Sequence, residues 1–165
     1  MTGEGVKMKL SCDIFSQFDK KWALLTAGKK EKFNTMTISW GGLGTIWNKP
    51  VATVYVRKSR YTKEFMDKEG YFTVSFYPEK YKKTLGVLGA KSGRSMDKMF
   101  ASGLTPEVAG ESMSFKEAEL TLVCRKLFVQ ELRKSRMPKE IAAGFYADDD
   151  MHIMYIGEVV DIIKK

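Results

Sequence analysis

Strand-like segments follow one another along this chain without the long crossover helices that a parallel sheet needs between its strands. The segments WALLT (residues 22–26) and NTMTISW (residues 34–40) flank the turn-like GKKEK (residues 28–32), which predicts a β-hairpin. Further strand patterns cover residues 51–56, 71–77, 118–132 and 153–163. With about seven strands and about three short helices, the pattern predicts a mainly β fold, an antiparallel barrel with a few short appended helices.

The remaining segments predict short helices and turns. Helical spacing of large side chains, or a proline that can open a helix, occurs at residues 61–68, 79–88, 95–100 and 138–143. Strand breaks, turns or bulges are expected at Gly41, Gly42, Gly44, residues 47–50 and Gly157.

The length of 165 residues fits one domain covering residues 1–165. No apolar run approaches the roughly 20 residues of a membrane span, and the opening MTGEGVKMKL lacks the apolar region of a signal peptide. Cys12 and Cys124 are far apart and outside any CxxC pattern, which predicts neither a disulfide framework nor a zinc site. We therefore expect a cytoplasmic protein without membrane association or a bound metal.

The single histidine, His152, limits the catalytic mechanisms open to this chain. A catalytic metal cannot be held by a histidine cluster, and no G-x-S-x-G motif accompanies His152 as it would in a hydrolase triad. Neither G-x-G-x-x-G nor G-x-x-x-x-G-K-[ST] occurs. If the chain is an enzyme, we expect a cofactor to carry its chemistry.

The net charge of +8 is compatible with two kinds of anionic ligand. A basic surface attracts small anions such as nucleotide cofactors. It also suits a nucleic-acid-binding barrel, since single-strand binders combine a cationic groove with aromatic side chains. The basic residues are dispersed rather than gathered into one tract, which makes nucleic acid the less favoured ligand.

The clearest site candidate is VATVYVRKSRYT, residues 51–62. Its uncharged strand ends at Arg57, and cationic and hydroxylic residues follow immediately before a helical pattern. Guanidinium and hydroxyl donors, with the unpaired N–H groups of a first helical turn, are suited to binding a phosphate. A solvated charge cluster in a strand-to-helix loop explains the same residues equally well.

A second candidate is the strand NTMTISW. Thr35, Thr37 and Ser39 alternate with the larger Met36 and Trp40, so one face carries a row of short hydroxyls. This row, with the preceding asparagine, suits a polar ligand, whereas a sheet with one solvated face is an equal alternative. Trp40 is expected either to stack on a ring or to pack in the core.

Four motifs in this order resemble the flavin reductase-like FMN-binding split barrels, close to the flavoredoxin branch. They are NTMTISW, VRKSRYT, KSGRSMDK with GLTP, and HIMYIGEVV. The resemblance covers residues 22–160, nearly the whole chain. It implies a Greek-key split β-barrel, a homodimer, and FMN held noncovalently near the dimer interface.

The resemblance also implies which residues of this chain contact the cofactor. The hydroxyl-bearing strand would lie against the isoalloxazine and ribityl groups, the first basic loop would hold the phosphate, and the second would lie near either. The implied cofactor-binding residues are Asn34, Thr35, Met36, Thr37, Ser39, Trp40, Arg57, Ser59, Arg60, Thr62, Lys91, Ser92, Gly93, Arg94 and Lys98. Ser95 stands where the family often has aspartate, so one local contact differs.

The resemblance leaves two functions open. In the first, the chain is an NAD(P)H-dependent flavin reductase, with NADH or NADPH as the electron donor and His152 as the catalytic residue facing the redox site. In the second, it carries electrons on FMN between protein partners, as flavoredoxin does, without oxidising NAD(P)H itself. From the residues alone, His152 also fits an ordinary histidine at the start of a strand.

Overall fold

The computed structural model describes residues 9–90, 93 and 102–165. In these ranges the helices are α1 (Ile14–Asp19), α2 (Thr62–Lys68), α3 (Lys82–Ala90) and α4 (Lys139–Phe145), with 3₁₀ turns at Glu79–Tyr81 and Lys134–Arg136. The strands are β1 (Ala23–Lys29), β2 (Lys32–Ile38), β3 (Gly41–Ile46), β4 (Lys49–Arg57), β5 (Tyr71–Phe76), β6 (Pro106–Ala109), β7 (Ser112–Phe115), β8 (Leu120–Glu131) and β9 (His152–Lys164).

Seven of these strands form one antiparallel sheet in the order β2-β1-β5-β8-β9-β4-β3. The strands β6 and β7 form a separate hairpin. The mainly β antiparallel prediction is therefore confirmed, and every predicted strand segment in the described ranges overlaps an observed strand.

The chain connectivity forces this sheet to curl. Strands β2 and β3 form its opposite edges, yet only Ser39 and Trp40 separate the end of β2 from the start of β3. A flat sheet of seven strands would place its edges about 29 Å apart. The step from Ile38 to Gly41 spans at most about 11 Å. The two edges must meet at Ser39 and Trp40, and the sheet closes toward a barrel there.

The curled sheet encloses the main core, and a second cluster lies under α3. Alternate residues of β4, Val54 and Val56 among them, are fully buried in the main core with Phe72 and Tyr155. The second cluster contains Leu24, Tyr77, Leu85, Leu88, Leu104, Phe115 and Ala118. Because the inward residues of β4 fill the core, its alternate residues point to the other face of the sheet.

The glycine-rich segment after Trp40 is a strand, so the predicted break is wrong. Residues 41–46 pair with β4 from Gly41 opposite Val54 to Ile46 opposite Lys49. The segment GGLGTI has no side-chain alternation from which a strand could be recognised, and it lies at the sheet edge, where glycine costs least.

Two further expectations need correction. The turn between β3 and β4 is shorter than predicted: it contains only Trp47 and Asn48, both with positive φ (54° and 57°), as a type I′ turn requires. The bulge near Gly157 lies on the partner strand, where the register shifts between Lys126 and Phe128 of β8.

The helix α1 and the β6–β7 hairpin were not predicted, because each is short. The predicted turn at residues 95–100 lies outside the described residues.

Candidate functional site

The site begins with a register pair between two neighbouring strands. Arg57, the last residue of β4, lies opposite His152, the first residue of β9. Tyr55 precedes Arg57 by two positions and shares its face of the sheet. The register therefore places the basic loop after β4 directly beside the only histidine of the chain.

A cavity of about 180 Å³ lies where the two sheet edges meet. Its walls come from the end of β2, the linker to β3, and the register pair: Met36, Thr37, Ile38, Ser39, Trp40, Tyr55, Arg57 and His152. A larger groove of about 910 Å³, between α1 and β3, shares Ser39, Trp40 and Tyr55 with it. The cavity and the groove thus meet at Trp40.

His152 is held in a defined orientation at this cavity. It is only 7% exposed, and its Nδ1 lies 2.8 Å from the Tyr146 hydroxyl. Burial and the neighbouring Arg57 lower the pKa of His152 to about 4, against which Asp150 acts weakly. Burial also raises the pKa of Tyr146 above its ordinary value. At neutral pH the pair is therefore an uncharged imidazole and a protonated phenol.

Aromatic rings surround the mouth of the cavity. The Trp40 ring lies 5.1 Å from the His152 ring and 5.4 Å from the Phe145 ring, the latter in an edge-to-face arrangement. Trp40 is 43% exposed and Phe145 is 48% exposed. The Trp40 indole therefore lies at the surface of the site and not in the core, which removes the core alternative.

Arg57 connects the basic loop to the end of α4 and to the segment that follows it. Its guanidinium donates to the backbone carbonyls of Asp150 (2.7 Å) and Phe145 (3.1 Å) and lies 5.3 Å from the centre of the Tyr146 ring. These contacts fix Phe145 and Tyr146 over Trp40 and His152. In the structure Arg57 thus shapes the wall of the cavity as well as contributing a charge.

Ser59 lies at a second connection between the same two segments. Its backbone N–H donates to Asp150 Oδ1 at 3.1 Å and its hydroxyl donates to Asp150 Oδ2. The N–H of Asp150 in turn donates to the Asp148 carboxylate. An anion thus already accepts hydrogen bonds from the loop that the sequence predicts to bind a phosphate.

Arg60 makes a longer hydrogen bond than Arg57 to the part of the chain that the structure describes. It is partly buried, and its Nη1 is 3.4 Å from the Gly89 carbonyl, a long contact for a guanidinium. Burial lowers the pKa of Arg60, and the charge of Asp150 opposes this shift. A partly buried guanidinium is a favourable partner for an anionic ligand.

Asn34 and Thr62 form a buried polar pair beside this loop. The Asn34 amide donates to Thr62 Oγ1 at 2.8 Å, and both residues are buried. Gly93 lies against Asn34, so closely that an added Cβ would clash with the Asn34 amide. The structure therefore brings Gly93, from the second basic loop, next to this residue of β2.

The hydroxyl row of β2 is only partly available to a ligand. Thr35 has no exposed surface, and its hydroxyl is paired with Thr26. Thr37 donates to the Leu85 carbonyl but still lines the smaller cavity with Met36, and Ser39 lines both cavities. The remaining predicted site residues, Lys91, Ser92, Arg94 and Lys98, lie outside the described residues.

Sequence reasoning missed four residues of the site, of which only Tyr55 lines the smaller cavity itself. Tyr55 was predictable from strand alternation, since it shares a face with Arg57. Phe145, Tyr146 and Asp150 come from a segment 88 to 93 residues away from Arg57, and no local pattern links them to it. Among the described residues, no group of three or more His, Cys, Asp or Glu could hold a metal ion. No helix in those same ranges is long and apolar enough to span a bilayer.

Comparison with known proteins identifies the family. The model of the flavin reductase like domain matches residues 15–165, so the chain belongs to this family. No curated protein matches the chain.

Solved structures agree in fold. Flavoredoxin from Methanosarcina acetivorans superposes with a TM-score of 0.69 at 25% identity, covering 96% of this chain and 75% of its own. An FMN-binding protein from Thermus thermophilus superposes with a TM-score of 0.70 at 19% identity, covering 99% of this chain and 80% of its own. A protein with a split barrel domain from Shewanella frigidimarina NCIMB 400 superposes with a TM-score of 0.69 at 19% identity, covering 88% of this chain and 67% of its own. The predicted family and split-barrel fold are confirmed.

Proposed function

We propose that this chain binds FMN noncovalently and reduces it with NADH or NADPH. The observation that carries the proposal is the pairing of Arg57 with His152, which joins an anion-binding loop to an aromatic-walled cavity. Membership of the flavin reductase-like family, and the flavoredoxin and FMN-binding proteins that share the fold, support it.

The residues at the two ends of the site fit the two ends of FMN. The partly buried guanidinium of Arg60 and the donors of Ser59 suit a terminal phosphate. Trp40 and His152 suit a planar ring, because their side chains lie at the mouth of the cavity and present π surface. Phe145, whose ring meets the Trp40 ring edge to face, is held in place by Arg57.

When bound, FMN supplies a ring that accepts a hydride from a nicotinamide donor. The chain's own residues contribute orientation rather than acid–base chemistry. His152 is neutral at pH 7, because its pKa is about 4, so it can exchange one hydrogen bond with a donor amide without adding charge. Tyr146 keeps the imidazole aligned through Nδ1, which leaves Nε2 as the nitrogen for a ligand.

Cofactor release tests the first half of the proposal. Purified protein is expected to be yellow, and denaturation is expected to release FMN and not FAD, as identified by chromatography of the supernatant. Protein that is colourless and does not take up added FMN would contradict the proposal. Titrating FMN, riboflavin and FAD in parallel shows which end of the ligand the site selects.

Stopped-flow mixing tests the second half. NADH or NADPH is expected to bleach the bound flavin within seconds, and His152→Ala is expected to slow this step or weaken donor binding while FMN stays bound. Tyr146→Phe is the matched variant: it keeps the ring but removes the hydroxyl that aligns His152. The nucleotide that reacts faster identifies the preferred donor.

A second candidate is an electron carrier that does not oxidise NAD(P)H, favoured by the similarity to flavoredoxin. In this case the redox partner is another protein. Reduction by dithionite but by neither nucleotide would select this function over the reductase.

We also propose that the chain is a homodimer, with the α1–β3 groove at the interface. The groove is long and largely apolar, and Phe15 at its edge is 85% exposed. C2 pairing is the commonest way to cover such a surface.

Light scattering is expected to give a molar mass of twice 18.8 kDa. Phe15→Asp is expected to give monomers, whereas Phe128→Asp, on a separate exposed patch with Trp47, is expected to leave the dimer intact. A monomeric wild type that holds FMN would contradict this assembly.

A further inference from the structure

The Asp150 carboxylate occupies a position that an anionic ligand of the basic loop needs. Both of its oxygens accept hydrogen bonds from Ser59, one from the backbone N–H and one from the hydroxyl. These are the two neutral donors that Ser59 can offer to a phosphate. Any phosphate bound by this residue must share the donors with Asp150 or displace it.

We propose that Asp150 is a specificity-determining residue: its carboxylate competes with the FMN phosphate for the Ser59 donors and so limits the preference for FMN over riboflavin. This inference rests on the proposed FMN binding. It assigns to Asp150 an effect on the phosphate end of the ligand alone.

The position of Asp150 is built into the fold and does not depend on the side chain of Ser59 alone. The Asp150 carbonyl accepts from Arg57 at 2.7 Å, and its N–H donates to Asp148 Oδ1 at 3.1 Å. With its backbone anchored on both sides, Asp150 remains beside Ser59, and only a change of side-chain rotamer can move its carboxylate away. A phosphate that takes the Ser59 donors must therefore either tolerate the neighbouring carboxylate or displace it from its two hydrogen bonds, and removal of the charge would lower this cost.

Charge reinforces this competition. Asp150 interacts electrostatically with Arg60 and with His152, so its charge acts on the guanidinium that is proposed to bind the phosphate. Two anions near one partly buried guanidinium repel each other more strongly than they would in bulk water. Riboflavin has no phosphate, so this repulsion does not affect its binding.

The test is the isosteric variant Asp150→Asn, titrated with FMN and riboflavin by flavin fluorescence. Asparagine keeps an acceptor for Ser59 but removes the charge. FMN is expected to bind about three- to tenfold more tightly, the size of one partly screened like charge, and riboflavin is expected to change by less than about twofold. Asp149→Asn is the matched control: it removes the same charge one residue away, where the carboxylate faces Lys134. It is expected to change neither affinity.

Ser59→Ala in the two backgrounds tests the competition directly. In wild type the Ser59 hydroxyl donates to Asp150, so its removal is expected to lower the affinity for FMN by less than about twofold. In the Asp150→Asn background the hydroxyl is released from its charged partner, and its removal is expected to weaken FMN by about five- to tenfold.

Three outcomes overturn the inference. One is weaker FMN binding by Asp150→Asn, which would mean that Asp150 holds the loop in its binding geometry. The second is an equal change of the FMN and riboflavin affinities in Asp150→Asn. The third is the same loss of FMN affinity on Ser59→Ala in both backgrounds. In each case FMN still binds the wild type, so the proposed function stands. Failure of wild type to bind FMN is a separate result that removes both.

Discussion

The two ends of the candidate site are built in different ways. At the anion end, Arg57 and Ser59 are tied to Asp150 and Phe145 by hydrogen bonds between two loops. At the ring end, Trp40 lies between a small cavity and a larger groove, and the groove is lined mainly by apolar atoms. The anion end is therefore fixed by directional bonds, whereas the ring end offers an open surface that shape and packing must fill.

This difference separates the measurable roles of the two ends. If FMN binds as proposed, changes at the anion end should distinguish FMN from riboflavin, because only the phosphate would contact this end. Changes at the ring end should affect both ligands alike, because the two flavins share the same ring. The ratio of the two affinities therefore reports which end a residue serves.

The largest expected effect is that of Arg60→Ala at the anion end. Losing a charge-assisted hydrogen bond costs about 1.5–3 kcal/mol, which weakens FMN by roughly ten- to a hundredfold, while riboflavin binding hardly changes. Lys58→Ala is the control: it removes a cation of the same loop, which pairs with Glu131 and not with the site. Equal weakening of FMN and riboflavin by Arg60→Ala would show that Arg60 shapes the pocket instead.

The contrast between these loops also shows how far the sequence can be read. The anion end was predictable because its donors are neighbours in sequence: Arg57, Ser59 and Arg60 follow one strand without interruption. The strands themselves were predictable from alternation, as in β2 and β5. Local chemistry and periodicity were sufficient where neighbouring residues act together.

The ring end was not predictable in the same way. Trp40 was identified as a candidate, but its partner Phe145 comes from the end of α4, more than 100 residues later. The glycines of β3 have no alternating pattern from which the edge strand that forms one wall of the groove could be recognised. Long-range pairing, not local propensity, decides which residues meet at this end.

The second expected effect is a pH-dependent loss of stability from His152. Its pKa in the folded protein is about 4, below the ordinary 6.5. Between these values the unfolded chain binds more protons, so the free energy of unfolding falls as the pH falls from 6.5 toward 4, by up to about 1.4 kcal/mol per pH unit. Above pH 6.5 the stabilisation is fully present.

The measurement is urea unfolding of wild type and His152→Gln from pH 4 to pH 7.5. Carboxylates titrate in both proteins, so the difference between them isolates the histidine. The two curves are expected to converge toward pH 4 and to separate as the pH rises to 6.5. Parallel curves over this range would mean that His152 is protonated equally in the folded and unfolded states.

A smaller effect is expected from Phe145→Ala at the ring end. It removes the edge-to-face contact with Trp40, an interaction worth about 0.5–1.5 kcal/mol, and is expected to weaken FMN and riboflavin by the same factor, about two- to tenfold. Phe145→Leu, which retains much of the apolar volume, should recover part of the loss. A change restricted to FMN would place Phe145 with the anion end, through the Arg57 contact to its carbonyl.

The smallest expected effect on ligand binding is that of Thr62→Ala. Thr62 is 1% exposed and its hydroxyl accepts from the Asn34 amide, so it supports the anion end from behind more than it faces a ligand. The affinity for FMN is expected to fall by about threefold or less, well below the effect of Arg60→Ala. The affinity for riboflavin is expected to fall by no more than that. The free energy of unfolding is expected to fall by about 1–3 kcal/mol, because the buried Asn34 amide loses its acceptor. Thr62→Ser keeps the hydroxyl and should restore most of this stability. If Thr62→Ala instead weakens FMN as much as Arg60→Ala does, the hydroxyl acts on the phosphate directly.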